Sequence, residues 1–516
     1  MSSIRSAVPA IQSTFSPSFR SRGTHSCVPL PRGRYGAHLS REEVAELVAP
    51  PSDVLELANA WLRHHSIPPS AISTKHGGSW LTVIGVPVSR ANELLSASYQ
   101  LYRHIGTNDT VLRTLSYGLP TALLEHVQNV APTTHFGFPR TPRMPHDGAA
   151  GAQKRVPAGE PVTVLSSRQE PYVTPSFLRS LYKTSSYVPA ADQNALGVIG
   201  FLDDFPNPDD LRQFMNEYRF DATSATYTVA QIKGGGYDPG NPGVEANLNM
   251  QYTSAMAFPT RHIFYSTGSA DTGDAFINWL NYALDLLRVP QTLGVRGASV
   301  LFSSGNHGVG RGNCLAPDSS GNSRVQFRPT FPSTCPWVTS VGGTTGNNPE
   351  IAASLSGGGF SVYFPRPYYQ DSAVPTFLQR LGRRYSGLYN PEGRGVPDIA
   401  LQAMNFGVIF KTKFMSLGGT SCSTPVRHSI SAYGSLKLSA DWPTHRQRQG
   451  IISLLNDYRI SNGRPPLGFL NPWLYGIGLE GLNDITSGSN PGCKTEGFSA
   501  VPGSRVSGHS TSKNWL

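Results

Sequence analysis

Ser421 is the residue of this chain best placed by its neighbours to attack a carbonyl. It lies in Gly418-Gly419-Thr420-Ser421-Cys422-Ser423-Thr424-Pro425, behind the strand-like run Asn405-Phe406-Gly407-Val408-Ile409-Phe410. Two glycines allow a sharp turn and a close approach of the backbone to another group. Pro425 suits a first helical turn. The pattern predicts strand, tight turn and helix, with a hydroxyl near the helix N-terminus, where the dipole and free N–H groups favour developing negative charge. A serine nucleophile needs such a place, because its oxyanion needs donors nearby. The same string also fits a plain turn whose serine caps a helix. Glu245 and Asn249 lie four apart in Glu245-Ala246-Asn247-Leu248-Asn249 and so share a helix face. From the residues alone, Glu245 is an exposed first-turn acid. Asn306 sits in Ser304-Gly305-Asn306-His307-Gly308-Val309-Gly310. Those glycines mimic a phosphate-binding loop, but their spacing does not support one.

The elements that would position these residues alternate in type. Ala195–Phe201, Tyr227–Ile232, 262–266 and 299–303 read as strands, and Pro208–Tyr218 and 274–287 as helices. Such alternation predicts an α/β domain with a parallel sheet covered on both faces. A capped helix at Thr174-Pro175-Ser176 opens it, and it spans 171–516. Ahead lies a mixed segment, 35–138, which reads as a compact α+β domain. Ser40-Arg41-Glu42-Glu43 starts its first helix. Residues 53–64 form a second, with Leu55, Leu57, Ala58 and Leu62 inward. Strands follow at 80–86 and 99–104, with a helix at 89–97 between them. Residues 139–170 are rich in Pro, Gly, Arg and Ala and read as a cleavable linker.

A chain of 516 residues, 38% hydrophobic, has room for two or three domains and a large core. Its net charge of +10 is spread out, with no lysine-rich run interleaved with aromatics. Nucleic acid is therefore not an expected partner. No apolar run is long enough to span a membrane. Residues 1–34 are Ser-, Pro- and Arg-rich without an apolar stretch; they are expected to be disordered and do not read as a signal peptide. Of five cysteines, Cys314, Cys335 and Cys493 lie in loop-like surroundings and could form one disulfide with one left over. With no C-x-x-C pair and no H-E-x-x-H, a zinc site is not expected. Asn108-Asp109-Thr110 fits a glycosylation sequon.

Gly419-Thr420-Ser421 with Pro425 resembles the nucleophile motif of the sedolisins, the serine-carboxyl peptidases, and the likeness runs along most of the chain. It extends through Val338-Thr339-Ser340-Val341-Gly342-Gly343-Thr344, Ser356-Gly357-Gly358-Gly359 and Val396-Pro397-Asp398-Ile399-Ala400. The resemblance implies a subtilisin-like parallel-sheet catalytic domain behind an α+β activation prodomain. It implies Ser421 as nucleophile, Glu245 as general base, the second carboxylate position occupied here by Asn249, and an oxyanion donor position occupied here by Asn306. It also implies peptide or protein substrates, action in acid, a monomer and an extracellular setting. Asp398 reads as a structural turn residue. Three stretches depart from the family. The strand expected between 287 and 299 is missing. Residues 426–449 interrupt the helix behind Ser421, and read either as a retained intron or as a surface insertion. The family's calcium site is met by Asp484 and Ile485 in Asp484-Ile485-Thr486-Ser487-Gly488, but its second half reads Pro502-Gly503-Ser504-Arg505, and an arginine is no oxygen ligand. Because of the two asparagines, the resemblance leaves a second reading, a catalytically impaired relative that binds peptides or a partner.

Overall fold

The computed structural model describes residues 2–4, 12–19, 36–75, 78–103, 110–134, 172–189, 194–201, 203–268, 275–276, 278–279, 282, 290–310, 314–317, 322–427, 451–502 and 510–512. The linker 139–170, the sequon asparagine Asn108, Cys27, residues 428–449 of the insertion and Arg505 lie outside the described residues.

In the amino-terminal domain, Glu43 N–H donates to Ser40 Oγ at 3.1 Å and Ser40 N–H donates to a Glu43 carboxylate oxygen at 2.6 Å. This reciprocal cap starts the helix Arg41–Val48. The next helix, Ser52–His64, buries Val54, Ala58, Trp61 and Leu62, a spacing that follows the 3.6-residue period. The expected inward face is corrected at Leu57, which is 37% exposed; Trp61 takes the core side instead. The Ser52–His64 helix shares its core with an antiparallel sheet in the order Ile72–Lys75, Trp80–Pro87, Gln12–Phe19, Val127–Ala131. A second sheet places Gln100–Arg103 between Ser2–Ile4 and Thr110–Arg113. The expected disorder of residues 1–34 is thus corrected at 2–4 and 12–19. Phe15, Pro17 and Phe19 alternate with polar residues at the strand period, and the flanking strands need backbone partners.

This domain touches the carboxy-terminal domain through His38 and Leu39. Leu39 N–H donates to the Val295 carbonyl at 2.9 Å, and His38 Nε2 donates to the Pro466 carbonyl at 2.8 Å. Burial lowers the His38 pKa; its two backbone hydrogen bonds oppose the shift, and the nearby charge of Arg459 adds to it. A docked-state pKa below the unfolded one means that the docked state holds fewer protons. The contact is therefore at full strength above the unfolded value of about 6.5 and weakens as pH falls through that value toward the lowered one. Hydrogen exchange at the Leu39 amide, corrected for intrinsic rate, is expected to speed up as pH drops from about 7.5 to about 5. His38→Gln, which keeps a donor but does not titrate, should flatten that dependence; an unchanged slope would contradict this role.

The carboxy-terminal domain is built on parallel strands. Arg261–Thr267 pairs in parallel with Ala195–Phe201 on one side and Tyr227–Ile232 on the other. Thr339–Thr345 pairs in parallel with Leu301–Ser303 and Ile399–Gln402, and antiparallel with Ile351–Ala352. Among the described residues these are two sheets. Among the described residues, Ala195–Phe201 and Leu301–Ser303 each pair with one strand. The short helix Pro290–Val295 lies in the stretch of sequence where the missing strand was expected.

The main core gathers Tyr252, Phe214, Phe406, Ile399, Leu401 and Ile452 around the Ser421 region. Asp398 is fully enclosed. Its carboxylate accepts from Arg394 at 2.6 Å, from Ser340 N–H at 2.7 Å and from Tyr475 Oη at 3.0 Å. Its structural role is thus a buried ion pair that holds the starts of two parallel strands. Cys314 and Cys493 form a disulfide, and among the described residues Cys335 and Cys422 are free.

Candidate active site

The strand that enters the Ser421 turn is Lys413–Leu417, not the expected run at 405–410. That run, Phe406–Phe410, is its antiparallel partner, with Phe410 opposite Lys413. The two-residue turn between them holds Lys411 at φ 50° and Thr412 at φ 63°. Hairpin turns of this kind favour Asn-Gly, so Lys-Thr sends no sequence signal. The turn is held from outside: Asp210 accepts Lys411 N–H and Thr412 N–H, each at 2.8 Å.

Gly418 and Gly419 then lead into the helix Thr420–Arg427. Gly419 has φ +152°, and a Cβ there would meet Asn306 Nδ2 at 3.1 Å, so the turn depends on glycine. Ser421 falls in the first helical turn, where N–H groups have no acceptor within the helix. Pro425 is corrected: it lies inside the helix rather than in its first turn. Lacking an N–H, it leaves the Ser421 carbonyl without its usual helical donor. Ser423 Oγ donates to the Leu401 and Gln402 carbonyls, both at 3.1 Å, and ties this helix to the Ile399–Gln402 strand.

Glu245 opens the helix Val244–Ala257. From Ala246 to Ala257 this helix is buried all round except at Asn249, which is half-buried like Glu245. Asp204 Oδ2 accepts Ala246 N–H at 3.0 Å and so caps the helix from a neighbouring loop. A side chain at Gly243 would overlap that carboxylate, its Cβ falling 1.0 Å from Asp204 Oδ1. The Glu245 carboxyl faces the Ser421 hydroxyl. Desolvation raises the Glu245 pKa, and hydrogen bonding by Ser421 partly opposes the shift. Glu245 is therefore a partner of Ser421, not the exposed first-turn acid that the residues alone predict.

Asn306 meets the nucleophile turn from the other side. Its Oδ1 accepts Thr420 N–H and Thr420 Oγ1, both at 2.8 Å. A backbone N–H has to meet an oxygen, so the amide's Nδ2 is turned toward Gly419. Gly305 N–H donates to Thr420 Oγ1 at 3.2 Å and closes the link between the two loops. Asn249 lies one helical turn beyond Glu245, and among the described residues its amide makes no hydrogen bond to the Glu245 carboxyl. Burial and the charge of Glu245 raise the pKa of the adjacent Cys422 thiol, which keeps it protonated and a poor rival nucleophile.

Asp484 ends the strand Leu482–Asp484, paired with Ser510–Ser512, and Ile485 behind it is buried. Calcium takes six to eight oxygens. Among the described residues, no three His, Cys, Asp or Glu side chains come together to hold a metal.

Residues 31–136 match the model for the pro-kumamolisin activation domain. Over 507 residues the chain is 32% identical to tripeptidyl-peptidase SED2 of Arthroderma otae, covering 90% of this chain and 80% of that protein. The chain belongs to the sedolisin family. As a sedolisin it is a serine-carboxyl peptidase, a hydrolase with a zymogen-type activation domain ahead of a subtilisin-like α/β domain. It is equally 32% identical, over 518 residues, to tripeptidyl-peptidase SED3 of the same organism, covering 91% of this chain and 80% of the relative. Among solved structures it is similar to Pseudomonas sedolisin, a serine-carboxyl proteinase complexed with two molecules of pseudo-iodotyrostatin. That likeness has 20% identity, covers 66% of this chain and 94% of the other, and has a TM-score of 0.43. Sequence reasoning missed Asp204 and Asp210 in this sedolisin. Asp210 reads as an ordinary first-turn acid behind the N-cap Asn207, and two of its partners lie 201 and 202 residues away.

Proposed function

We propose that this sedolisin hydrolyses peptide bonds through Ser421, with Glu245 as general base and with Asn306 Nδ2 and the Ser421 N–H as oxyanion donors. The observation that carries this reading is the Ser421 hydroxyl set against a carboxyl whose pKa burial raises. Ser421 Oγ bonds to the scissile carbonyl carbon while its proton passes to Glu245. The C–N bond then breaks as Glu245 returns that proton to the leaving amine. Water repeats the attack, and Ser421 is released. Asn306 donates to the oxyanion without needing a proton of its own, and Asn249 has no proton-carrying part.

The relatives are named tripeptidyl-peptidases, which makes release of tripeptides from a free amino terminus the first activity to expect. The Cys314–Cys493 disulfide supports an extracellular setting. Among the described residues, no helix is long and apolar enough to cross a membrane. The activity is read by comparing a peptide with a free amino terminus and the same peptide acetylated. Tripeptide release from the free form alone supports the exopeptidase reading. Equal internal cleavage of both makes the protein an endopeptidase.

A further inference from the structure

We infer that Asp210 is a positioning residue for the Ser421–Glu245 pair, because its carboxylate ties the base helix to the turn of the hairpin that delivers the nucleophile. This inference rests on the active-site reading above. Asp210 is 1% exposed, in the helix Pro208–Tyr218, and its carboxylate receives three donors. Two are the Lys411 and Thr412 N–H groups of the hairpin turn. The third is Asn247 Nδ2 at 2.7 Å, two residues beyond Glu245 on the base helix.

The rest of that helix is tied to the same hairpin. Gln251 Nε2 donates to the Ile409 carbonyl at 2.7 Å, and Ile409 N–H donates back to Gln251 Oε1 at 3.0 Å. Tyr252 Oη donates to the Gly407 carbonyl at 2.8 Å. Glu245 and Ser421 therefore share one frame of reference, the strand Phe406–Phe410 and its partner Lys413–Leu417. The weak point of that frame is the turn. Lysine, and above all β-branched threonine, disfavour positive φ, and a two-residue turn of this hand leaves both N–H groups without a partner in the hairpin. Asp210 supplies both acceptors. An asparagine there keeps the size but brings one oxygen to three donors. The turn can then relax, shift the register of Lys413–Leu417 and move Ser421, three residues beyond Gly418, away from Glu245.

Full-length protein cut within 139–170 is labelled with a serine-directed peptidyl fluorophosphonate, and the rate of adduct formation at Ser421 is measured against reagent concentration. Asp210→Asn is expected to lower the limiting rate about 10- to 100-fold, the scale of a misplacement near 1 Å, and to leave the half-saturating concentration unchanged. Adding Lys411→Asn and Thr412→Gly to that variant is expected to restore the rate to within about threefold, because Asn-Gly adopts the turn unaided. Equal labelling of Asp210→Asn and the parent would overturn the inference. So would a slowed variant that the Asn-Gly turn fails to rescue, since Asp210 would then act elsewhere in the fold. If Asp210→Asn does not fold, the triple variant decides: folded and labelled supports the inference, unfolded overturns it. No labelling of the parent sinks the active-site reading itself, and this inference with it.

Discussion

Glu245→Gln is expected to lower kcat/KM by about 10²–10⁴-fold, the usual worth of a positioned general base. Glutamine fills the same space and still hydrogen-bonds to Ser421, but it takes no proton. The variant should fold at least as well as the parent, because it removes a carboxyl whose ionised form burial disfavours. A large kinetic loss with an undiminished thermal midpoint is therefore the expected signature, and equal activity would contradict the role. The pH profile follows from the same shift. Glu245 accepts a proton only when ionised, and its pKa is raised, so kcat/KM should climb as pH rises through that raised value. Asn306 donates at every pH, so it imposes no fall on the alkaline side. Asn306→Asp should add one, because an aspartate donates to an oxyanion only when protonated.

Asp398→Asn is expected to destabilise the peptidase domain by about 3–5 kcal/mol, the cost of leaving one member of a buried ion pair without its partner. Arg394 and Asp398 both have fully enclosed side chains, 2.6 Å apart. The carboxylate also receives the Ser340 N–H and Tyr475 Oη donors. Arg394 donates further to the Val338 carbonyl at 3.0 Å, so the pair joins the strands on which the Thr420–Arg427 helix is anchored. Replacing both members, Arg394→Met with Asp398→Leu, should cost less than Asp398→Asn alone, because no charge is left buried. Denaturant midpoints at an unchanged slope measure both. Equal midpoints for Asp398→Asn and the parent would contradict the ion pair's role.

The nucleophile turn was legible because its residues act locally: glycines, a serine and a helix start announce themselves over eight positions. Glu245 was legible only through family likeness, since an acid in a first helical turn has an ordinary explanation in the dipole. What stayed hidden depends on distant partners. Nothing near Asp210 points to a turn two hundred residues on, and Lys411-Thr412 lacks the glycine that would mark a hairpin. The strand at 12–19 was masked by a Ser- and Pro-rich setting, although its apolar residues alternate correctly. Leu57 and Trp61 exchanged places because composition does not set the phase of a short amphipathic helix. Asn249 shares a face with Glu245, yet a shared face did not bring a hydrogen bond.

The most direct measurement is mass-spectrometric location of a serine-directed peptidyl fluorophosphonate adduct on the full-length protein after cleavage within 139–170. The adduct is expected on Ser421, absent in Ser421→Ala and formed much more slowly in Glu245→Gln. An adduct on another serine, or none at Ser421 at any pH, would contradict a peptidase that works through Ser421 and Glu245.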